Sequence, residues 1–147
     1  MKTIKITAVK IKSMLRVFTK TLAIFIAFDF VWLTKISPEF YKTHIGHLLA
    51  DTPNLGAALA FYVIFIAGVT WFAVLPSSVN YRFRDAFGRG AFFGLVTYAT
   101  FDLTCQAVFK DWPVIVTIID LIWGSVLTGM TTAVAARNVD KIFQKYP

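Results

Sequence analysis

Residues 55–75 read LGAALAFYVIFIAGVTWFAVL and contain no charged side chain. At about 1.5 Å of rise per residue, a helix of that length spans roughly the 30 Å of a bilayer's hydrocarbon core. Pro76 follows directly and is expected to stop it. Three more apolar stretches, at 17–34, 87–109 and 114–136, have comparable length. Apolar residues make up 57% of the 147-residue chain and charged ones 16%, whereas a soluble domain keeps about a quarter of its residues charged. The mean hydropathy is +0.66. The sequence therefore predicts an all-α membrane protein, a four-transmembrane-helix bundle.

The run at 17–34 follows the basic segment MKTIKITAVKIKSMLR, the order found in a secretory signal. It is long for a signal, contains Asp29 and is followed by no small-x-small cleavage site, so it reads as a retained first span. Residues 1–16 form a basic cytoplasmic extension, 17–136 the transmembrane domain, and 137–147 a basic tail. The connection at 35–54 is polar, and Pro38 and Pro53 bracket a segment expected to form a short interfacial helix in the first outer loop.

Orientation follows from the distribution of Lys and Arg. Residues 1–20 carry six, 77–89 three and the tail three, against Lys35, Lys42 and Lys110 in the other two connections. The positive-inside rule then places both termini in the cytoplasm, with the protein multi-pass in a bacterial inner membrane. The net charge of +7 belongs to this flanking pattern; without a nucleic-acid-binding signature it does not point to nucleic acid as a partner. The single cysteine, Cys105, excludes an internal disulfide and a cysteine-cluster metal site, and reads as a buried structural thiol.

Three of these apolar segments carry an aspartate, in IAFDFVWLT (26–34), YATFDLTCQ (98–106) and TIIDLIWGS (117–125). Counted from the outer end of each span, Asp29 lies roughly 7–8 Å deep, Asp102 roughly 10 Å and Asp120 roughly 9 Å. The three carboxyls share one level. A charged carboxylate facing lipid at that depth costs several kcal/mol, so each should turn inward, find donors or take up a proton.

The neighbours fit an inward face. Gly90, Gly94, Tyr98, Asp102 and Gln106 recur every four residues. Thr117, Asp120, Gly124 and Thr128 form a similar polar, small-residue face. Tyr62 lies at the same level in the second span, and Trp32 and Trp123 each follow an aspartate by three residues, where an indole could cover the site or donate its N–H. Polar side chains also glue membrane helices together, but three carboxyls at one depth favour a ligand pocket. His44, His47 and Asp51 would share a helical face as metal ligands, although an amphipathic interfacial helix explains them more simply. No metal and no cofactor are expected, and no phosphate loop, nucleophile elbow or helical His-Glu-x-x-His is present.

The segments FDFVWL, FYKTHIGHLLADTPNLGAALAFY, FFGLVTYATFDLT and WPVIVTIIDLIWGSVLT resemble, in order, the small bacterial membrane-protein family catalogued as domain of unknown function 2177. The resemblance runs from about Leu22 to Thr132. It implies that Asp29, Trp32, Gly46, Asp102, Thr104, Asp120, Trp123 and Gly124 occupy positions of the family pattern, which adds Thr104 to the candidate site. Cys105 stands where similar sequences often carry asparagine, His44 matches no typical family histidine, and the basic N-terminus looks like an addition. The family brings no established activity.

The leading expectation is binding or transport of a polar, cationic or lipid-headgroup ligand by Asp29, Asp102, Asp120, Tyr62, Tyr98, Thr104, Gln106, Trp32 and Trp123. Transport by so few helices would call for a homo-oligomer. One alternative is a membrane-embedded enzyme using paired aspartates as general acid and base on a lipid or isoprenoid. Another is a small structural subunit of a membrane complex.

Overall fold

The computed structural model describes residues 2–144, with side chains from residue 10 to residue 143. Among these residues the chain is entirely helical, without strands. Helix α1 (Lys2–Val31) runs through a π-helical segment (Trp32–Ile36) into α2 (Ser37–Ile45) and a short 3-10 turn at Gly46–Leu48. Helix α3 (Leu55–Gly68) likewise runs through a π segment (Val69–Val74) into α4 (Leu75–Ser78). Then come α5 (Phe83–Val108), α6 (Val114–Ala136) and α7 (Val139–Gln144).

The first two helices outrun their expected ends for one shared reason. Each π segment stops two residues before a proline, Pro38 or Pro76. A proline inside a helix lacks an N–H and its ring collides with the carbonyl four residues back. Here the preceding residue donates five residues back instead, Ser37 N–H to the Trp32 carbonyl and Leu75 N–H to the Thr70 carbonyl. The widened turn absorbs the proline, so Pro76 does not end its helix. The connection expected at 35–54 is thus largely a continuation of α1, since no Gly or Pro interrupts the chain before Pro38.

That continuation is bent. Nine residues of straight helix rise about 13 Å, yet the rings of Trp32 and Tyr41 lie 6.4 Å apart between centroids. A π-turn followed by proline is where sharp kinks occur, and α2 folds back over the end of the bundle. After it, the Asn54 side chain accepts from the Ala57 N–H at 3.0 Å and starts α3.

Helix α6 is the central one and buries Val116, Thr117, Asp120, Gly124, Leu127 and Thr128 along one side. Its most extensive partner is α5, and small residues set their spacing. A Cβ on Gly94 would run into the Gly124 carbonyl, and one on Gly90 would run into Thr132 and the Thr128 carbonyl. The two backbones therefore pass almost in contact, as small-residue pairs permit in membrane helices. Helix α1 packs on the other side of α6. Lys20 Nζ donates to the carbonyls of Ala135 (2.9 Å) and Arg137 (2.6 Å), so it closes the C-terminus of α6 instead of snorkelling to the surface.

Among the described residues three stretches are long and apolar enough to cross a membrane: Lys10–Leu48, Leu55–Ser78 and Val114–Ala136. Helix α5 has the length, with 26 residues, but its polar side chains make it less apolar than these three. Gly94→Val should lower the stability of the detergent-solubilised protein by about 1–3 kcal/mol or more, since the added branch meets backbone. Gly88→Val, where a Cβ meets nothing within 4 Å, should leave thermal unfolding unchanged. Equal midpoints for both variants would contradict the packing described.

Candidate functional site

Close approach of α5 and α6 brings Asp102 and Asp120 together. Their carboxyls lie within hydrogen-bonding reach of each other. Carboxylate oxygens only accept, so this contact is attractive when one of the two carries a proton. Asp102 is 1% exposed, and its Oδ1 is buried without a hydrogen-bond partner.

Each remaining carboxyl takes a donor from another element. Tyr62, on α3, donates its hydroxyl to Asp29 Oδ2 at 2.7 Å. Tyr41, on the folded-back α2, donates to Asp120 Oδ1 at 2.6 Å. Asp29 and Tyr62 therefore tie α1 to α3, while Tyr41, Asp120 and Asp102 tie together α2, α6 and α5.

Aromatic rings frame the group. The indoles of Trp32 and Trp123 stack at 4.7 Å with an interplanar angle of 12°. Trp123 Nε1 lies beside the Asp29 carboxyl, but meets no acceptor in hydrogen-bonding geometry. Tyr98 rests its ring where a Cβ of Gly124 would otherwise stand. Gly124 thus gives the ring its seat, and on α3 the Phe65 ring meets Tyr98 at 6.3 Å.

These groups border a cavity of about 450 Å³ lined by Tyr41, Phe61, Phe65, Thr97, Tyr98, Phe101, Asp102 and Asp120. That is within the range of small-molecule sites. No Lys, Arg or His is among the lining residues. Tyr62 and Tyr41 already spend their protons on Asp29 and Asp120, Tyr98 adds a third phenol to the wall, and the lining holds no cation.

The candidates from sequence divide accordingly. Asp102, Asp120 and Tyr98 line the chamber; Asp29 and Tyr62 pair beside it, and Trp32 and Trp123 stack on each other without lining it. Gln106 is half-buried and does not line the cavity. A step of four residues drifts about 40° around a helix, and one turn after Asp102 the inward position belongs to Cys105, which is buried. Thr104 is exposed, donates to the Thr100 carbonyl at 2.5 Å and faces a separate shallow groove. His44 donates to the Phe40 carbonyl at 2.8 Å near the end of α2, while His47 lies in the 3-10 turn and Asp51 in the bend after it. Among the described residues no three His, Cys, Asp or Glu side chains gather as a metal would require.

Tyr41 was missed from sequence. Its signal was a helix that no Gly or Pro interrupts before Pro38, which carries a phenol beyond the apolar run and back over the bundle end.

Residues 14–137 match a family described as Predicted membrane protein (DUF2177). The chain belongs to this family. It is therefore a membrane protein, set in a lipid bilayer, and the match takes in α2, both π segments and all three aspartates. No curated protein and no solved structure matches the chain.

Loss of a donor to a buried carboxyl costs about 1–3 kcal/mol, so Tyr62→Phe and Tyr41→Phe should each destabilise the protein by that amount. Asp102→Asn should not, because the new amide can donate to Asp120. Denaturant titration in mild detergent checks the pattern, and a destabilised Asp102→Asn beside neutral tyrosine variants would reverse it.

Proposed function

We propose that this family member binds a cationic or hydrogen-bond-donating group in the chamber between α3, α5 and α6, within the plane of the membrane. The observation that carries the reading is Asp102: a carboxyl 1% exposed, with one oxygen unpartnered, in the wall of a cavity without Lys, Arg or His. A buried acceptor left unpaired is costly, and an incoming ammonium would relieve that cost.

The chain crosses the membrane four times in this proposal, with α5 as the third span. Its exposed side carries Phe92, Val96, Phe101, Leu103 and Val108, an apolar face suited to lipid, while its acidic group points inward. With both termini cytoplasmic in a bacterial inner membrane, the aspartates lie in the outer half of the bilayer. In a Cys105→Ser background, a membrane-impermeant maleimide added to intact cells should label Asp51→Cys at once and Arg84→Cys only after permeabilisation. The opposite order would overturn the orientation.

Binding is coupled to protons. Asp102 and Asp120 share one when the chamber is empty, and an ammonium group replaces it. Around the pair stand Asp29 from α1, Tyr41 from α2, Tyr62 from α3, and Tyr98 and Cys105 from α5. None of these supplies a positive charge. Because the proton leaves as the cation arrives, affinity rises with pH, by at most tenfold per unit for one proton.

Propylammonium is a suitable first probe. Calorimetry with the purified protein should give saturable binding that strengthens from pH 6 to pH 8 and is lost in Asp102→Asn. Binding unaffected by that substitution, or weakening as pH rises, would reject the proposal. Transport would add directional release and calls for an assembly of several copies, since one copy offers few helices to alternate.

A further inference from the structure

The chamber is not closed on the side of α3. The π segment Val69–Val74 approaches both α5 and α6, but α3 itself makes no comparably close backbone approach to α5 among the described residues. Side chains alone bridge the two helices there, with Phe65 against Phe93 at 6.0 Å and against Tyr98 at 6.3 Å.

Along this seam runs a second cavity of about 400 Å³, lined by Phe61, Ile64, Phe65, Gly68, Phe93 and Thr97. It shares Phe61, Phe65 and Thr97 with the chamber, so the two adjoin along these side chains. Its only polar lining side chain is Thr97, whose hydroxyl is turned onto its own helix, donating to the Phe93 and Gly94 carbonyls. The residues beside the opening, Phe61 (45% exposed), Ile64 (73%) and Phe101 (61%), lie on the outer surface of the bundle, where lipid would cover them.

We infer that the ligand is a single-chain amphiphilic amine that reaches the chamber sideways from the lipid, with its ammonium at Asp102 and its alkyl chain along the α3–α5 seam. The inference rests on the cation-binding reading of the chamber and deepens it. Three observations select this chemistry. The polar end offers carboxyl acceptors and no cation, which suits an ammonium. The apolar end is one narrow groove and accommodates one chain. A zwitterionic phospholipid head would bring a phosphate within a few ångströms of its amine, and no lining Lys, Arg or His could neutralise its charge. The occupant is thus an amine without an anionic group beside it.

The groove also fixes the direction of the chain. From Asp102 the shared residues lead through Thr97 to Phe93 on α5, and from Phe61 through Ile64 to Gly68 on α3. Nine residues of helix, Phe93 to Asp102, span about 13 Å, so the tail extends from the polar site toward the middle of the bundle. The space ends at Gly68, where a Cβ would stand 3.0 Å from the Phe93 ring.

The test uses the full-length protein in lipid nanodiscs and dodecylamine carrying a diazirine at its chain end. Irradiation followed by peptide mass spectrometry should place the label on Ile64, Gly68 or Phe93. Labelling should fall at least tenfold in Asp102→Asn and on addition of excess propylammonium. Label spread over the outward faces at Phe30, Trp71 and Phe92, while propylammonium still binds in an Asp102-dependent way, would overturn the amphiphile and leave the chamber reading standing. Failure of both amines to depend on Asp102, with the variant's thermal unfolding unchanged, would overturn both. The wild-type labelling pattern needs no substitution and is interpretable by itself.

Discussion

The near-contact of the α5 and α6 backbones is the constraint on which the site depends. Gly94 faces the Gly124 carbonyl and Gly90 faces Thr128 and Thr132, leaving no room for a side chain at either glycine. Only at that separation can the short side chains of Asp102 and Asp120, one on each helix, meet. Gly124 then serves a second purpose, because the space it leaves also holds the Tyr98 ring. Packing and polar geometry are therefore one arrangement: widening the helix pair would separate the carboxyls and unseat the aromatic wall together.

The surrounding elements answer the demand those carboxyls create. Away from water an acceptor without a donor is expensive, and Asp120 and Asp29 receive phenols brought from α2 and α3. Asp102, the least exposed of the three aspartates, keeps one oxygen without a donor. A purely structural polar network would be expected to satisfy itself fully. An incomplete one beside a cavity is the feature on which the proposed binding of a donor with a hydrocarbon tail rests.

How much could be read from sequence depended on the period involved. Counting residues from the span ends placed the three aspartates at a common level; the structure brings Asp102 and Asp120 together and pairs Asp29 with Tyr62. Of the two Asp-x-x-Trp indoles, Trp123 lies beside the Asp29 carboxyl and Trp32 stacks on Trp123. The polar stripe on α5 was extended too far because a strict four-residue step ignores the drift of a 3.6-residue helix, so Gln106 was expected where Cys105 stands. The larger omission was Tyr41. Hydropathy marks where a chain leaves lipid, whereas helix continuity is governed by Gly, Pro and local hydrogen bonding, and the two boundaries differ here by a whole helix. Absorption of Pro38 and Pro76 by π-turns could not be read from propensity, which scores an interior proline as a break.

The proton that Asp102 and Asp120 are proposed to share is the most direct point of attack. Infrared difference spectroscopy on the purified protein in nanodiscs, with and without propylammonium at neutral pH, reports the protonated carboxyl C=O stretch. The account predicts that one such band disappears when the amine binds, and that Asp102→Asn shows no such change. A protonated-carboxyl band that persists unchanged through saturating amine, or no band in the empty protein, would contradict it.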